Sequence, residues 1–364
     1  MRLNMIGKRI VSTALSVLIF VGAVALGQEK SVGLTLGPAM EIGREESFFA
    51  SIASVCEDNE LNFYVLDRME HAVFKVSPEG SLLRRFGQKG QGPGDFQSPG
   101  QIVFTPDGEL AVLEDLYYVS FLTTDGTFLR RLDLNGRLGL GFIGRDRYYG
   151  WIWRPDDRQQ LMVDAENKIL RTFHALPKDR FSVNLPDETG RQVMFNYSHD
   201  AYVPRFLYAH DGGLSAVGIS DRYEIELLDE RGQTVATIRR DLKSQKFSGR
   251  EKDYLERGLR EFAESKGWPD RVARELGKKI PAYKNMVQAV RISPQRVFVF
   301  RFAPDISAEK APSPVDIFTQ TCEFLGTSEL SDIPLFISDK AAYFVKTDDS
   351  GNVYLLRADY SLDF

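Results

Sequence analysis

The sequence predicts an all-β protein built as a six-bladed β-propeller, with seven blades as the alternative count. Three observations lead there. Short β-type runs alternate with turn residues along most of the chain. Two neighbouring segments repeat one plan at an offset of about 46 residues, inside the ~40–50 residue period of propeller units. The aromatic content is carried by Phe (25) and Tyr (14), with only 3 Trp, and such rings suit the space between stacked sheets.

The chain has 364 residues, 43% hydrophobic and 27% charged, a globular balance that excludes disordered, collagen-like and disulfide-scaffold classes. It opens on basic residues (Arg2, Lys8, Arg9), then an uncharged apolar run over 10–26, then Ala25 and Gly27 just before Gln28. That order predicts a signal peptide over residues 1–27. A retained anchor is the alternative, because about 17 residues is the lower limit for a membrane span. Gln28 replaces the cysteine a lipoprotein would need. No second long apolar run follows, so the mature chain is expected to carry no membrane span. It reads as one monomeric propeller domain over 28–364, exported to the periplasm or the extracellular medium. The net charge is −5, and cleavage would make it more acidic, which argues against a nucleic-acid partner.

The repeats follow in order. Residues 61–67, 72–76 and 82–86 form the runs of a first unit, and residues 110–115, 119–122 and 128–132 those of a second. Asp125 with Gly126, and Glu79 with Gly80, supply the positive φ of tight hairpins. Weaker copies occupy 161–173, 214–238 and 297–325, and a sixth opens at 343–356 and runs out of strands. An unfinished sheet exposes an edge. Residues 34–42 are the natural donor to complete it, closing the ring through the two chain ends.

Two stretches break this rhythm. Residues 174–202 read as a long link carrying Pro177, Pro186 and Gly190. Residues 248–280 read as a helical hairpin inserted between blades four and five. Ser248 suits an N-cap, Tyr254, Leu255, Leu259, Phe262 and Ala263 recur at helical spacing, Gly267 ends the first helix, and Pro269 starts the second, with Val272, Ala273, Leu276 and Ile280 expected inward. The mixed charge of 250–279 suits a solvated face. Cys56 and Cys322 could bridge in an oxidising compartment, but two buried unpaired thiols is the simpler reading.

The link after the first unit contains Gly87, Gly90, Gly92, Pro93, Gly94, Asp95 and Phe96, ending at Pro99. With the surrounding repeats it resembles the bacterial exported six-bladed NHL-like β-propellers, whose blades are joined by a G-x-x-G-x-G-P-G-[ED]-F link. Residues 281–284, leading towards Ile292 and Val297, also look like a feature of that family. The likeness is close over units one and two and one of plan elsewhere. Blade three lacks the Asp-Gly turn and blade four follows an unusually long link. The resemblance implies the fold and export, and little about activity. The link lacks the Lys-Ser/Thr of a phosphate loop and no helix signal follows it. Its glycines are expected to let the chain cross tightly between blades.

Ligand-binding candidates come from a patch rich in Trp, Tyr and Arg. Arg145, Arg147 and Arg154 offer forked donors, and Trp151 and Trp153 offer flat faces, as sugar and peptide sites require. Alternation also suits Trp151 and Trp153 to plain packing between blades. His199, beside Asp200, is a further contact candidate, whereas His210 and Asp211, followed by two glycines, read as a hairpin turn. Propellers of the gluconolactonase type hold a divalent ion on the axis. The candidates for such a Ca²⁺ or Mg²⁺ site here are Glu57, Asp67, Glu114 and Asp164, although carboxylates at strand ends more often cap turns. No cofactor is expected. The leading expectation is a non-enzymatic binding or interaction propeller for a peptide, glycan or protein partner. The alternative is a metal-dependent hydrolase or lactonase with axial carboxylates.

Overall fold

The structure is a computed structural model. It describes residues 30–46, 48–114, 118–133, 138–144, 147–153, 157–177, 181–187, 189–211, 213–308 and 311–364. The expected signal segment 1–27 lies outside the described residues.

After β1 (Gly33–Ile42), the chain lays down sheets in sequence. Blade one is β2–β5 (Ile52–Glu57, Phe63–Asp67, Ala72–Val76, Leu82–Phe86). Blade two is β6–β9 (Pro99–Phe104, Leu110–Glu114, Tyr118–Leu122, Phe128–Asp133) and blade three is β10–β13 (Leu138–Gly144, Arg147–Trp153, Asp157–Asp164, Ile169–Pro177). A separate hairpin, β14–β15 (Ser182–Pro186, Gln192–Asn196), precedes blade four, β16–β19 (Phe206–Asp211, Leu214–Ile219, Glu224–Leu228, Thr234–Arg239). Helices α1 (Gly249–Ser265) and α2 (Asp270–Gly277) come next in the chain. Blade five is β20–β23 (Val287–Ile292, Arg296–Arg301, Ser313–Thr319, Phe324–Leu330). Three last strands, β24–β26 (Phe336–Ile337, Ala341–Thr347, Val353–Asp363), are completed by β1.

Each of the six blades is a four-stranded antiparallel sheet. In the sixth, β1 pairs with β26, from Gly33 opposite Asp363 to Ile42 opposite Leu355. The first strand among the described residues is therefore the outermost strand of the last blade, and the ring closes through it. A two-residue inner strand, β24, starts that blade ahead of the point where sequence repeats suggested it began.

Alternation packs the blades against one another. In β3, Phe63 and Val65 join a cluster with Tyr343 and Leu355 of blade six, while Tyr64 and Leu66 join Ile102 and Val112 of blade two. In β7, Leu110 faces blade one, whereas Ala111 and Leu113 meet Phe142 and Leu161 of blade three. Tyr149 and Met162 meet Val217 of blade four, and Ile225 meets Val299 of blade five. Phe298 and Phe300 meet Phe344 of blade six. Every neighbouring pair, six with one, shares an apolar cluster, which an open stack could not achieve. With both faces covered, middle strands read as unbroken apolar runs. Each fully buried Phe contributes roughly 1.5–3 kcal/mol.

The Gly87–Phe96 link joins β5 to β6. Gly87 has φ +86°, and a Cβ there would lie 2.3 Å from the ring of Phe96, which is fully buried. Arg131 holds the crossing by donating to the carbonyl oxygens of Gln91 and Asp95 (3.2 and 2.9 Å).

Helix α1 begins with a capping box: Glu251 N–H donates to Ser248 Oγ and Ser248 N–H to the Glu251 carboxylate (3.2 and 2.8 Å). Its Leu255, Leu259 and Ala263 are buried, whereas Tyr254 is exposed. The stretch 174–202, expected as a bare link, instead carries β14–β15. Val183, Leu185 and Phe195 of that hairpin pack on Leu259, Val272 and Leu276, so the hairpin and both helices share one small core. The turn signal at Gly190 marks its tip, but each strand has only five residues, Pro186 ends the first, and the exposed Met194 between Val193 and Phe195 blurs the alternation of the second. Among the described residues no helix is long and apolar enough to cross a membrane. Cys56 and Cys322 are free and buried.

Candidate ligand site on the propeller axis

The axis is lined by the first strand of each blade. These strands touch in a cycle: β2 with β6, β6 with β10, β10 with β16, β16 with β20, β20 with β24, and β24 with β2. Equivalent position gives them one sense, so their C-terminal ends gather at one mouth. The loops joining first to second and third to fourth strands lie there too. The opposite face carries the links between blades, including α1, α2 and β14–β15.

A cavity of 560 Å³ lies at the hairpin mouth. Its apolar walls include Val55, Ile102, Phe104, Val290 and Phe336, and its polar side chains include Glu57, His210, Asp211 and Arg291. Glu57 ends β2 and Asp211 ends β16, so each is the last residue of its blade's inner strand.

The two carboxyls are held differently. Tyr343 donates its hydroxyl to Glu57 at 2.5 Å, and Arg357 Nε donates to the Tyr343 oxygen at 3.3 Å. Burial pushes Glu57 above the usual carboxyl range, opposed by the hydrogen bonds from Tyr343 and Ser338 and by the Arg357 charge. Asp211 has no such support. Its Oδ2 is buried without a hydrogen-bond partner among the described residues. Burial first, then the charges of Asp339 and Glu57, push it up to about 7. A buried unsatisfied polar group costs roughly 1–3 kcal/mol and calls for a physical reason.

The remaining polar groups are engaged. His210 Nδ1 lies 2.9 Å from Ser215 Oγ, which itself donates to Phe142 O at 3.2 Å. That arrangement places the imidazole proton on Nδ1, and burial lowers its pKa to about 4. Arg291 donates through Nε to Pro334 O and through Nη1 to Val290 O, both at 2.9 Å. Burial, then the Arg205 charge, lowers it to about 10. Burial also pushes the Cys56 thiol well up, helped by Asp58, Asp211 and Glu57, so it is a poor nucleophile. Tyr208 packs flat on Tyr149, with ring centroids 4.1 Å apart, and donates to Phe142 O at 2.6 Å. It fits because residue 141 is glycine: a Cβ there would lie 2.1 Å from the Tyr208 ring.

The candidates named from sequence are scattered. Arg145 and Arg154 lie outside the described residues. Arg147 opens β11 opposite Asp164, Trp151 is half-buried on the same strand, and Trp153 ends it. His199 accepts from Ala201 N–H at 3.2 Å and stacks on Tyr202, which makes it a turn cap. Of the four carboxylates considered for a metal, only Glu57 lines the cavity. Asp67 accepts the backbone N–H groups of Ala50, Ser51, Met69 and Glu70. Glu114 accepts from Gln97 N–H and Ser120 Oγ, and Asp164 accepts from Lys168 N–H in its own hairpin. Arg291 and Tyr343 carry no sequence signal of a site, and Asp211 reads there as a turn residue. Asp211 does close a hairpin, and in blade four it holds the place of Glu57 in blade one, which is the signal that could have found it.

No family model matches the chain, and no curated protein sequence matches it. Solved structures do resemble it. One is a Bacteroides fragilis protein inferred to be exported, 12% identical over 94% of this chain and 97% of that one, with a TM-score of 0.55. Another is a DUF4221 family member from Bacteroides vulgatus, 9% identical over 92% and 99%, with a TM-score of 0.54. Virginiamycin B lyase from Staphylococcus aureus aligns at 8% identity over 90% and 99%, with a TM-score of 0.42. At such identities the likeness to the two Bacteroides structures is one of fold alone.

Proposed function

We propose that the protein is an exported binding propeller, NHL-like in its blade links, that holds a small organic ligand or the end of a peptide or glycan in the axial cavity. The observation that carries this reading is Asp211 Oδ2, buried without a partner among the described residues beside a 560 Å³ space. Cavities of ~300–1,000 Å³ with apolar walls and a few convergent polar groups are the usual form of a small-molecule site. The two helices, read as an insertion between blades four and five, and β14–β15 lie on the opposite face. There they form a platform suited to a partner rather than to this ligand. Nothing in the arrangement of Glu57, Asp211 and His210 supplies an activated nucleophile, so binding is the simpler use.

The test is a thermal-shift and calorimetric screen of the purified protein against peptides, glycans and small amines, acids and alcohols. Binding that is lost in Val103→Trp, which fills the cavity from blade two, supports the axial site. Ligands that bind equally well to that variant, or a screen without a binder, would overturn it.

A further inference from the structure

We infer that the axial cavity selects an organic cation, an ammonium group on an apolar body. This rests on the reading of the cavity as a ligand site. The cavity lining carries five carboxyl side chains, Glu57, Asp58, Glu60, Asp211 and Glu230, and two cationic ones, Lys75 and Arg291. Both cations are already placed. Arg291 donates to two backbone carbonyls, and Lys75 sits over the Tyr64 ring at 5.3 Å, whose hydroxyl donates to Asp58. Among the described residues no donor reaches Asp211 Oδ2, which is buried. Carboxyls thus outnumber cations in the lining, both cations are directed to other groups, and the walls around them are aliphatic and aromatic. A group with several N–H donors and a positive charge satisfies the bare carboxyl. Its apolar substituent gains from removing the half-buried Phe104 and Phe336 surfaces from water.

The electrostatics give this occupant a signature. The charges that act on Asp211 are Glu57 from blade one and Asp339 after β24, the Cys56 thiol feels its charge in turn, and the rest of the cavity lining adds Asp58, Arg291 from blade five, and His210 and Glu230 from its own blade. Burial and the Asp339 and Glu57 charges hold its proton on until about pH 7. A bound cation favours the ionised form, so its binding expels that proton and tightens as pH rises through about 7. A carboxylate ligand would behave oppositely, and a neutral alcohol would show no dependence.

The experiment compares hexylammonium, hexanoate and hexanol by calorimetry with the purified protein at pH 6 and pH 8. Hexylammonium is expected to bind about tenfold more tightly at pH 8 than at pH 6, from one titrating group near 7. Hexanoate is expected not to bind. Asp211→Asn should remove the pH dependence while the melting temperature shows the fold intact, and Glu57→Gln should reduce it in part. Hexanol or hexanoate binding as tightly, a flat pH profile, or no binding by hexylammonium would overturn the inference. The broader screen keeps that failure separate, because a neutral or anionic ligand lost in Val103→Trp would leave the binding site standing without the cation.

Discussion

Glu57 and Asp211 end the inner strands of blades one and four, which stand three steps apart in a ring of six and so face each other across the axis. Each lies within electrostatic reach of the other, as the Glu57 charge raises the Asp211 carboxyl. One is supported by a tyrosine and an arginine, the other by nothing described. The pair therefore stores unfavourable charge at the mouth of the cavity, and this has a consequence for stability.

Asp211 holds its proton more tightly in the folded chain, at about 7, than in the unfolded one, at 3.8. Its contribution is favourable at acid pH and is lost as pH rises from about 4 through about 7. Asp211→Asn is expected to change stability little at pH 4.5 and to raise it on the order of 2 kcal/mol at pH 8. Urea unfolding at the two values checks this, and an equal change at both would contradict it.

Its neighbour acts with the opposite sign. Burial lowers His210 to about 4 from 6.5, so the neutral ring contributes stability that is complete above about 6.5 and lost as pH falls through about 4. His210→Asn should cost about 1 kcal/mol at pH 7, through the contact with Ser215, and less at pH 4.5. The same unfolding series reads it.

Glu251 and Lys284 form a buried ion pair at 2.5 Å, with side chains 2% and 1% exposed. Glu251 also accepts Ile306 N–H at 3.1 Å, and Lys284 donates to Pro304 O at 2.6 Å. The pair thus fastens α1 to the segment before β20 and to the loop after β21. Lys284→Met leaves a buried carboxylate unpaired and should cost about 3–5 kcal/mol. Adding Glu251→Gln should recover part of that loss in denaturant titrations.

Gly141→Ala forces the Tyr208 ring off Tyr149 and its hydroxyl off Phe142 O. The expected cost is about 1–3 kcal/mol, with a change in near-ultraviolet dichroism from the displaced tyrosine. A variant with an unchanged spectrum and stability would show that the ring has room elsewhere.

Both thiols should resist a disulfide reagent until the protein unfolds. Burial pushes Cys56 well up and Cys322 to about 11, and both side chains are enclosed between blades. Titration with a chromogenic disulfide is expected to count no reactive thiol in the native protein and two in denaturant.

The residues that announced themselves in the sequence were those buried on both faces. Phe63 to Leu66 and Leu110 to Leu113 form the middle strands of blades one and two, and their repeat revealed the ring. The inner strands did not. β2 and β6 have one side on a wet channel, so Ser54, Glu57 and Gln101 interrupt the apolar pattern. The cavity is built from those strands, which is why Glu57 stands out in the sequence only as one of four strand-end carboxylates and Asp211 only as a turn residue, while Trp151 and His199 are conspicuous by composition. Composition marks chemistry, but convergence on an axis depends on which strand of each blade carries the residue.

The pairing of β1 with β26 also sets a timetable. The strand made first has to wait, unpaired, for the strand made last. Until residues 353–363 are available, blade six lacks its register and β1 its partner, so the five finished sheets stand as an arc with two bare ends. Completing the ring therefore depends on two distant stretches of the described chain being present together.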